Sequence, residues 1–203
     1  RMRKAEGAAG AADPLDGVPD PALFALEGGW SAIIDGVGGT GVVTVGAILG
    51  MAAHLEGKGC GMIDMAGLAQ KGGAVFSHVR IARVPDEINS IRVSAGKADL
   101  VIGCDLVVSG ARKVLAAVRE GHTTFVANTA EVMPGEFTRS PDFSLPVERL
   151  KKAIRAAAGD NALFFDATRT AGVLFGNAIG ANMLLLGIAA QRGVLPVSTE
   201  AIE

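Results

Sequence analysis

The chain has 203 residues, with 19 basic and 21 acidic side chains and a formal net charge of −2. This length suits one α/β domain, and the near balance of charge excludes general electrostatic attraction to nucleic acid or to an anionic membrane. Apolar residues make up 49% of the chain, which excludes intrinsic disorder. The longest apolar stretch, residues 178–190, is too short for a transmembrane helix. We therefore expect a soluble domain.

Residues 1–29 are rich in Ala, Gly, Asp and Pro, a composition typical of a linker. Near the other end, Ser198 or Thr199 is predicted to cap a helix, and the chain stops inside that helix. The expected organisation is a linker over residues 1–29 and a single domain over residues 30–203, truncated at its C-terminal end.

Between residue 30 and the C-terminal helix, short apolar runs alternate with segments in which apolar residues recur at helical spacing. The predicted strands are residues 31–35, 60–64, 76–82, 99–104, 123–128 and 162–166. The predicted helices are residues 40–56, 106–119, 147–158 and 177–192, and residues 131–146 are predicted as a long loop. Strand 76–82 alternates and is predicted to have one solvent-facing side. The pattern predicts a doubly wound, Rossmann-like α/β fold, with a mostly parallel sheet and helices on both faces.

Polar residues follow several predicted strands at their carboxyl ends, where ligands bind in open α/β sheets. They are Asp35, Asp64, Asp105, Asn128 and Asp166. Asp and Asn at such junctions also cap helices, so each is either a ligand contact or a cap.

A glycine-rich segment, Gly36-Val37-Gly38-Gly39-Thr40-Gly41, joins the first predicted strand to the first predicted helix. It matches the G-x-G-x-x-G pattern, in which glycines allow a tight turn and the N–H groups at the helix start favour a phosphate. Asp64, at the end of the second predicted strand, takes the place of a ribose-binding carboxylate. The segment is therefore either a dinucleotide site or a tight turn that binds nothing.

The chain after Asp64 is unlike a dehydrogenase. A dinucleotide-binding unit would continue into a second crossover helix, whereas here a loop containing Gln70-Lys71-Gly72-Gly73 precedes an alternating strand. Lys71 and the nearby backbone N–H groups either face an anion or a neighbouring chain, or belong to a solvated surface loop.

Together these segments resemble the gamma domain of the 2-oxoacid:ferredoxin oxidoreductases, most closely that of indolepyruvate ferredoxin oxidoreductase. The resemblance rests on the glycine-rich segment, on residues 64–81 with their Gly-Leu-Ala-Gln-Lys-Gly-Gly core, and on Ala98-Asp99-Leu100-Val101-Ile102-Gly103. It extends from Trp30 to the end of the chain. Many relatives have arginine where this chain has Lys71, which favours the indolepyruvate branch or its fused bacterial forms. Residues 1–29 then resemble a join to preceding domains.

The resemblance implies a thiamine diphosphate enzyme, and because the sequence shows no sign of secretion we expect a cytoplasmic location. Such an enzyme oxidatively decarboxylates an aryl pyruvate or another 2-oxoacid, transfers the acyl group to coenzyme A and passes electrons through iron–sulfur clusters to ferredoxin. Its implied partners are other domains or subunits of the same oxidoreductase, and we also expect a homo-oligomer. Two alternatives remain: a stand-alone NAD- or FAD-binding oxidoreductase, and a purely structural assembly domain.

In this family thiamine diphosphate and the clusters belong to other domains. The present chain has two cysteines, Cys60 and Cys104, which lie far apart and outside any Cys-x-x-Cys pair. We therefore expect no metal site and no activity from these residues alone. His54, His78 and His122 have no partners at ligand spacing, although His78 and Arg80 share one strand face that we expect at an interface or site.

Candidate cofactor-binding residues lie in the two glycine-bearing loops and in the strand between them. They are Gly36, Gly38, Gly39, Thr40, Gly41, Asp64, Gln70, Lys71, Gly72 and Gly73. No catalytic residue is assigned. Asn182, in the last long helix, is expected to be a polar group satisfied within a helix contact.

Overall fold

A computed structural model describes residues 17–67, 73–131 and 145–203, and a six-stranded sheet forms the centre of this part of the chain. The strands are β1 (Trp30–Val37), β2 (Gly59–Ala66), β3 (Ala74–Ala82), β4 (Leu100–Gly103), β5 (Thr124–Asn128) and β6 (Ala162–Phe165). They are arranged in the order β2-β3-β1-β4-β5-β6. Strands β1, β4, β5 and β6 run parallel, whereas β3 is antiparallel to both of its neighbours. The predicted mostly parallel sheet is confirmed.

Helices cover both faces of the sheet, as predicted. They are α1 (Val42–Leu55), α2 (Leu106–Ser109), α3 (Arg112–Leu115), α4 (Val147–Ala158), α5 (Ala167–Phe175), α6 (Ala181–Gln191) and α7 (Thr199–Ile202). Helices α1, α5 and α6 pack on the face that carries Trp30 and Ile34, and α7 adds Ala201 and Ile202 to the edge of that core. Helices α2, α3 and α4 pack on the opposite face, around Ile33. Burial on both faces explains why Ala32, Ile33 and Ile34 form a continuous apolar run in the middle of β1.

Strand β3 does not have the predicted solvent-facing side. Phe76 and His78 on one side are only 2% and 6% exposed, and the alternate residues on the other side are fully buried. The prediction was wrong because other segments also cover the side that carries Phe76 and His78: Phe76 packs in the core around Ile33, and His78 accepts a hydrogen bond from Val93 N. The ammonium of Lys113 also lies over the Phe76 ring at 3.3 Å from its centroid.

Two predicted helices differ from those observed. The segment predicted as one helix over residues 106–119 forms the short helices α2 and α3, with Gly110 between them. The backbone leaves the helical conformation at Ala111, which has a ψ of 142°. A Cβ atom at Gly110 would lie 2.5 Å from Cδ2 of Leu150, so the absence of a side chain there lets α4 pack closely. The last long helix begins at Ala181 rather than at residue 177, because the Asn177 side chain accepts a hydrogen bond from Ile179 N at 3.0 Å and starts a 3-10 turn. Helix α4 has the predicted bounds.

The N-terminal residues that the structure describes lie against the C-terminal end of α6. Phe24 N donates to the carbonyl of Leu195 at 2.9 Å, and Gln191 Nε2 donates to the carbonyl of Pro19, also at 2.9 Å. The Ser198 side chain caps α7 by accepting a hydrogen bond from Ala201 N. Most of the predicted loop over residues 131–146 lies outside the described residues. Among the described helices, none is long and apolar enough to cross a membrane.

Candidate functional site

The segment from Gly36 to Gly41, here called the glycine turn, joins β1 to α1 in the predicted strand-to-helix context. A Cβ atom at Gly36 would lie 2.7 Å from Cγ2 of Val42 and 3.0 Å from Cβ of Cys104, so glycine is needed for helix and strand to pack. Gly39 and Gly41 have φ angles of 87° and 88°, in the left-handed region that favours glycine. A Cβ atom at Gly39 would meet no described atom within 4 Å, which makes this the open part of the turn.

The second glycine-bearing loop meets the glycine turn at its base. Gly38 N donates to the carbonyl of Gly73 at 2.8 Å, and Gly67 N donates to the carbonyl of Ala74 at 2.9 Å. These bonds hold the two ends of the loop between β2 and β3 beside the turn. Gln70, Lys71 and Gly72 lie outside the described residues, so their predicted role stays a prediction.

Asn182 fastens the glycine turn to α6. Its Nδ2 donates to the carbonyl of Thr40 at 2.8 Å, and its side chain is buried at 7% exposure. The Thr40 hydroxyl donates to the carbonyl of Val37 at 2.7 Å, which closes the turn on itself. The sequence predicted that Asn182 is hydrogen-bonded within a helix contact, but it did not predict that the acceptor lies in the glycine turn. The only signal was an amide at the start of a helix whose next eight residues are apolar or glycine.

A groove with a volume of about 510 Å³ opens beside the glycine turn. Its lining residues are Gly39, Thr40, Gly41, Thr44, Ala178, Ile179, Asn182 and Met183. Ile179 and Met183 form an apolar wall, and the start of α1 forms a polar one. The first turn of α1 reads Val-Val-Thr-Val and carries no negative charge, so its N–H groups and the positive end of the helix favour an anion. The volume suits part of an elongated ligand.

Asp64 does not lie where a ribose-binding carboxylate would. It is an exposed residue within β2, paired in register with Ser77 of β3, which in turn pairs with Ile34 of β1. At about 4.8 Å per strand, β2 is roughly 9.6 Å from β1, twice the distance in a dinucleotide-binding unit, where the two strands are neighbours. Because β3 intervenes, Asp64 is displaced from the glycine turn by one strand.

Asp35 lies at the carboxyl end of β1 and is fully buried. Its Oδ1 is 2.7 Å from Ser109 Oγ, and among the described residues no donor reaches its Oδ2. Burial raises the pKa of Asp35 well above its usual range; the bond to Ser109 opposes this effect, and the nearby charge of Asp105 adds to it. The group is structural, because it points into the packed interior near α2.

Three of the other polar residues at strand ends act as caps or internal ties. The Asp105 carboxylate accepts hydrogen bonds from Val107 N and Val108 N, and the Asp166 carboxylate accepts one from Arg169 N. Asn128 Oδ1 accepts from Ala167 N at 3.1 Å. For these residues the structure favours the cap or tie over a ligand contact.

The side chains of histidine and cysteine show no reactive arrangement in the described ranges. His78 Nδ1 accepts a hydrogen bond from Val93 N at 3.1 Å, and burial, together with the charges of Arg92 and Lys113, lowers the pKa of His78. Burial raises the pKa of both thiols, Cys60 and Cys104. Within residues 17–67, 73–131 and 145–203, no three His, Cys, Asp or Glu side chains converge on a metal site. His78 is therefore a buried structural residue and not part of an exposed site.

Comparison with known proteins adds a family and three similar proteins. The family model described as pyruvate ferredoxin/flavodoxin oxidoreductase matches residues 31–203. Subunit IorB of the indolepyruvate oxidoreductase of Pyrococcus horikoshii is 27% identical over 174 residues, covering 86% of this chain and 83% of that protein.

Two solved structures share the fold. The gamma subunit of a keto/oxoacid ferredoxin oxidoreductase from Geobacter sulfurreducens superposes with a TM-score of 0.56 at 22% identity, covering 85% of this chain and 82% of its own. The 2-oxoglutarate:ferredoxin oxidoreductase of Magnetococcus marinus, solved with 2-oxoglutarate, coenzyme A and succinyl-CoA bound, gives a TM-score of 0.57 at 16% identity. It covers 87% of this chain, which matches only 26% of the longer chain of that enzyme.

Proposed function

The chain belongs to the pyruvate ferredoxin/flavodoxin oxidoreductase family, and on this premise we propose that it is the gamma domain or subunit of an indolepyruvate or related 2-oxoacid:ferredoxin oxidoreductase. It is homologous to IorB and to gamma subunits of 2-oxoacid:ferredoxin oxidoreductases. The observation that carries the proposal is the family match over residues 31–203. A stand-alone NAD or FAD oxidoreductase does not fit this family, and the strand inserted between β1 and β2 separates Asp64 from the glycine turn.

The chemistry is divided between this chain and the rest of the enzyme. Thiamine diphosphate and iron–sulfur clusters, held elsewhere, supply decarboxylation and electron transfer to ferredoxin. A four-cysteine cluster does not fit here, because the whole chain has two cysteines, both with pKa values raised by burial. Coenzyme A fits better, since it is an elongated anion and the groove joins an uncharged helix start to an apolar wall.

In this proposal the chain binds and orients coenzyme A while the reaction occurs on another subunit. Backbone N–H groups at the start of α1 hold a phosphate of the ligand, and Lys71 adds a positive charge from the neighbouring loop. Asn182 fixes the turn through the carbonyl of Thr40 and keeps these N–H groups aimed at the groove. Ile179 and Met183 cover apolar atoms of the ligand and exclude water from that side.

Further proposals follow from the same homology. Residues 30–203 form the gamma-type domain, which the start of the family match at residue 31 supports, and residues 1–29 connect it to other parts of the enzyme. The complete enzyme is a cytoplasmic homo-oligomer that reduces ferredoxin.

Replacing Lys71 tests the role of the second loop. In the complete enzyme we expect Lys71→Ala to raise the KM for coenzyme A roughly 5- to 150-fold, because a lost charge-assisted hydrogen bond costs about 1 to 3 kcal/mol. The KM for the 2-oxoacid should not change. Lys97→Ala removes an exposed lysine that lies outside both loops and serves as the control. If Lys71→Ala changes neither the kinetics nor the assembly seen on gel filtration, Lys71 does not bind coenzyme A and belongs to a solvated surface loop.

Gly39→Val tests the glycine turn in the same assay. The substitution places a branched side chain at the mouth of the groove, and we expect it to lower turnover. Gly121→Val is the matched control, because Gly121 also has a positive φ, of 71°, and a Cβ atom there likewise meets no described atom within 4 Å. Equal losses in the two variants would mean that backbone strain, and not the groove, causes the effect.

A further inference from the structure

A patch of large apolar side chains is exposed where α5 ends and α6 begins. It consists of Val173, Leu174, Phe175, Ile179 and Met183, which are 78%, 61%, 54%, 87% and 38% exposed. We call it the α5–α6 patch. Residues 172–191 contain no charged side chain. Single exposed apolar residues are ordinary, but a contiguous cluster of this kind marks an interaction surface.

The backbone holds the α5–α6 patch in a defined shape. Gly176 ends α5 with a φ of 74°, and the side chain of Asn177 accepts from Ile179 N to start the following turn. A Cβ atom at Gly180 would lie 2.7 Å from the Phe175 ring, so the end of α5 and the start of α6 are packed closely. The exposure of these side chains therefore results from an ordered turn and not from an unformed segment.

The segments of this chain outside the described residues are poorly suited to cover the patch. Residues 1–16 have only Met2 and Leu15 as large apolar side chains, and the chain that follows them is tied to Gln191, at the opposite end of α6. Residues 68–72 offer one leucine. Residues 132–144 join Glu131 to Leu145, both of which line a cavity beside α2 on the other face of the sheet.

We propose that another subunit or domain of the complete oxidoreductase docks on the α5–α6 patch through an uncharged apolar face and closes the groove beside the glycine turn. This inference rests on the proposed function. Ile179 and Met183 belong to both the patch and the groove, so a partner on the patch also borders the ligand. Because the acyl group is formed outside this chain, the thiol of a bound coenzyme A has to face another part of the enzyme. In the M. marinus enzyme, too, this fold is one part of a much longer chain.

Cysteine labelling of the complete enzyme tests the proposal. Val173→Cys and Ile179→Cys place thiols in the patch, and Leu55→Cys and Val84→Cys, at positions 67% and 47% exposed, serve as controls. Cys60 and Cys104 are partly buried thiols with raised pKa values and give a slow background. The rate of maleimide labelling at each position, followed by peptide mass spectrometry, is compared between the complete enzyme and the 203-residue chain alone.

We expect both patch positions to react at least about tenfold more slowly in the complete enzyme than in the chain alone, and the controls to change much less. Equal protection of patch and control positions, or none, overturns the proposal. Protection in the chain alone that increases with its concentration means that a second copy covers the patch, which also overturns it. Coenzyme A-dependent oxidation of a 2-oxoacid is assayed on the unsubstituted enzyme, so protection without activity supports the docking surface while contradicting the proposed function.

Discussion

At the scale of single residues, the number of protons available between Asp35 and Ser109 bears on whether Asp35 is neutral or ionised. Ser109 Oγ lies 2.7 Å from Asp35 Oδ1 and 2.7 Å from the carbonyl oxygen of Asp105. A hydroxyl has one proton, and a carbonyl oxygen can only accept. Both contacts are satisfied when Ser109 donates to the carbonyl and a protonated Asp35 donates to Ser109. This arrangement belongs to the neutral acid, which burial favours by raising the pKa of Asp35. In the ionised form Ser109 donates to the carboxylate instead, and that bond opposes the rise.

Replacing Asp35 with Asn should change how stability depends on pH. The pKa of Asp35 is higher in the folded than in the unfolded protein, so its protonated carboxyl contributes fully to the folding free energy below about pH 4. As pH rises from there toward the folded pKa, this contribution is lost by up to about 1.4 kcal/mol per pH unit. Asn keeps a donor for Ser109 and cannot ionise. We therefore expect Asp35→Asn to become more stable than the natural protein by a margin that grows as pH rises above about 4.

Urea unfolding over a series of pH values measures this margin, with Asp160→Asn, at an exposed site, as the control. A margin that stays constant or shrinks with rising pH would contradict the neutral state of Asp35.

The sequence predicts caps such as Asp105 and Asp166, because their partners are two or three residues away. It does not predict the state of Asp35, because Ser109 is brought to it by the pairing of β1 with β4.

At the scale of elements, Gly36 sets the distance between β1, α1 and the end of β4. The contacts that a Cβ atom would make with Val42 and Cys104 are too short for a side chain, and both partners lie in packed regions. We expect Gly36→Ala to destabilise the protein by about 1 to 3 kcal/mol, the usual cost of overpacking. Gly187→Ala is the matched control in α6. A Cβ atom there would meet no described atom within 4 Å, so a gain of about 0.4 to 1 kcal/mol is expected.

Chemical denaturation of both variants at one pH gives the two free energies of unfolding. If Gly36→Ala costs no more free energy of unfolding than Gly187→Ala, the glycine at position 36 is not required for packing.

Some features of the helices can be predicted from their own sequence, and others depend on contacts with distant residues. Helix α4 has the bounds that its own pattern predicts, because Pro146 and Gly159 flank it. The need for glycine at position 110 depends on Leu150 of another helix, and neither periodicity nor propensity records that contact.

At the scale of the whole molecule, the position of β3 distinguishes this fold from a dinucleotide-binding domain. The alternating pattern predicted the α/β class and the two covered faces, and the glycine turn was placed correctly at the end of β1. The antiparallel insertion of β3 between β1 and β2 was not predicted, since strand order depends on pairings across the sheet and not on local pattern. The same insertion moves Asp64 away from the turn.

This topology leads to a prediction about nicotinamide cofactors. A dinucleotide site needs the glycine turn and a ribose-binding carboxylate on adjacent strands, and here β3 lies between them, so that the two strands are about two spacings, roughly 9.6 Å, apart. We therefore expect neither NAD nor NADP to bind the chain with micromolar affinity in titration calorimetry, despite the G-x-G-x-x-G pattern. Asp64→Asn is the informative control, because it should leave the titration unchanged if the carboxylate has no ribose to bind. A Kd near 1 μM, about −8 kcal/mol, that weakens in Asp64→Asn would restore the dinucleotide site in spite of the inserted strand.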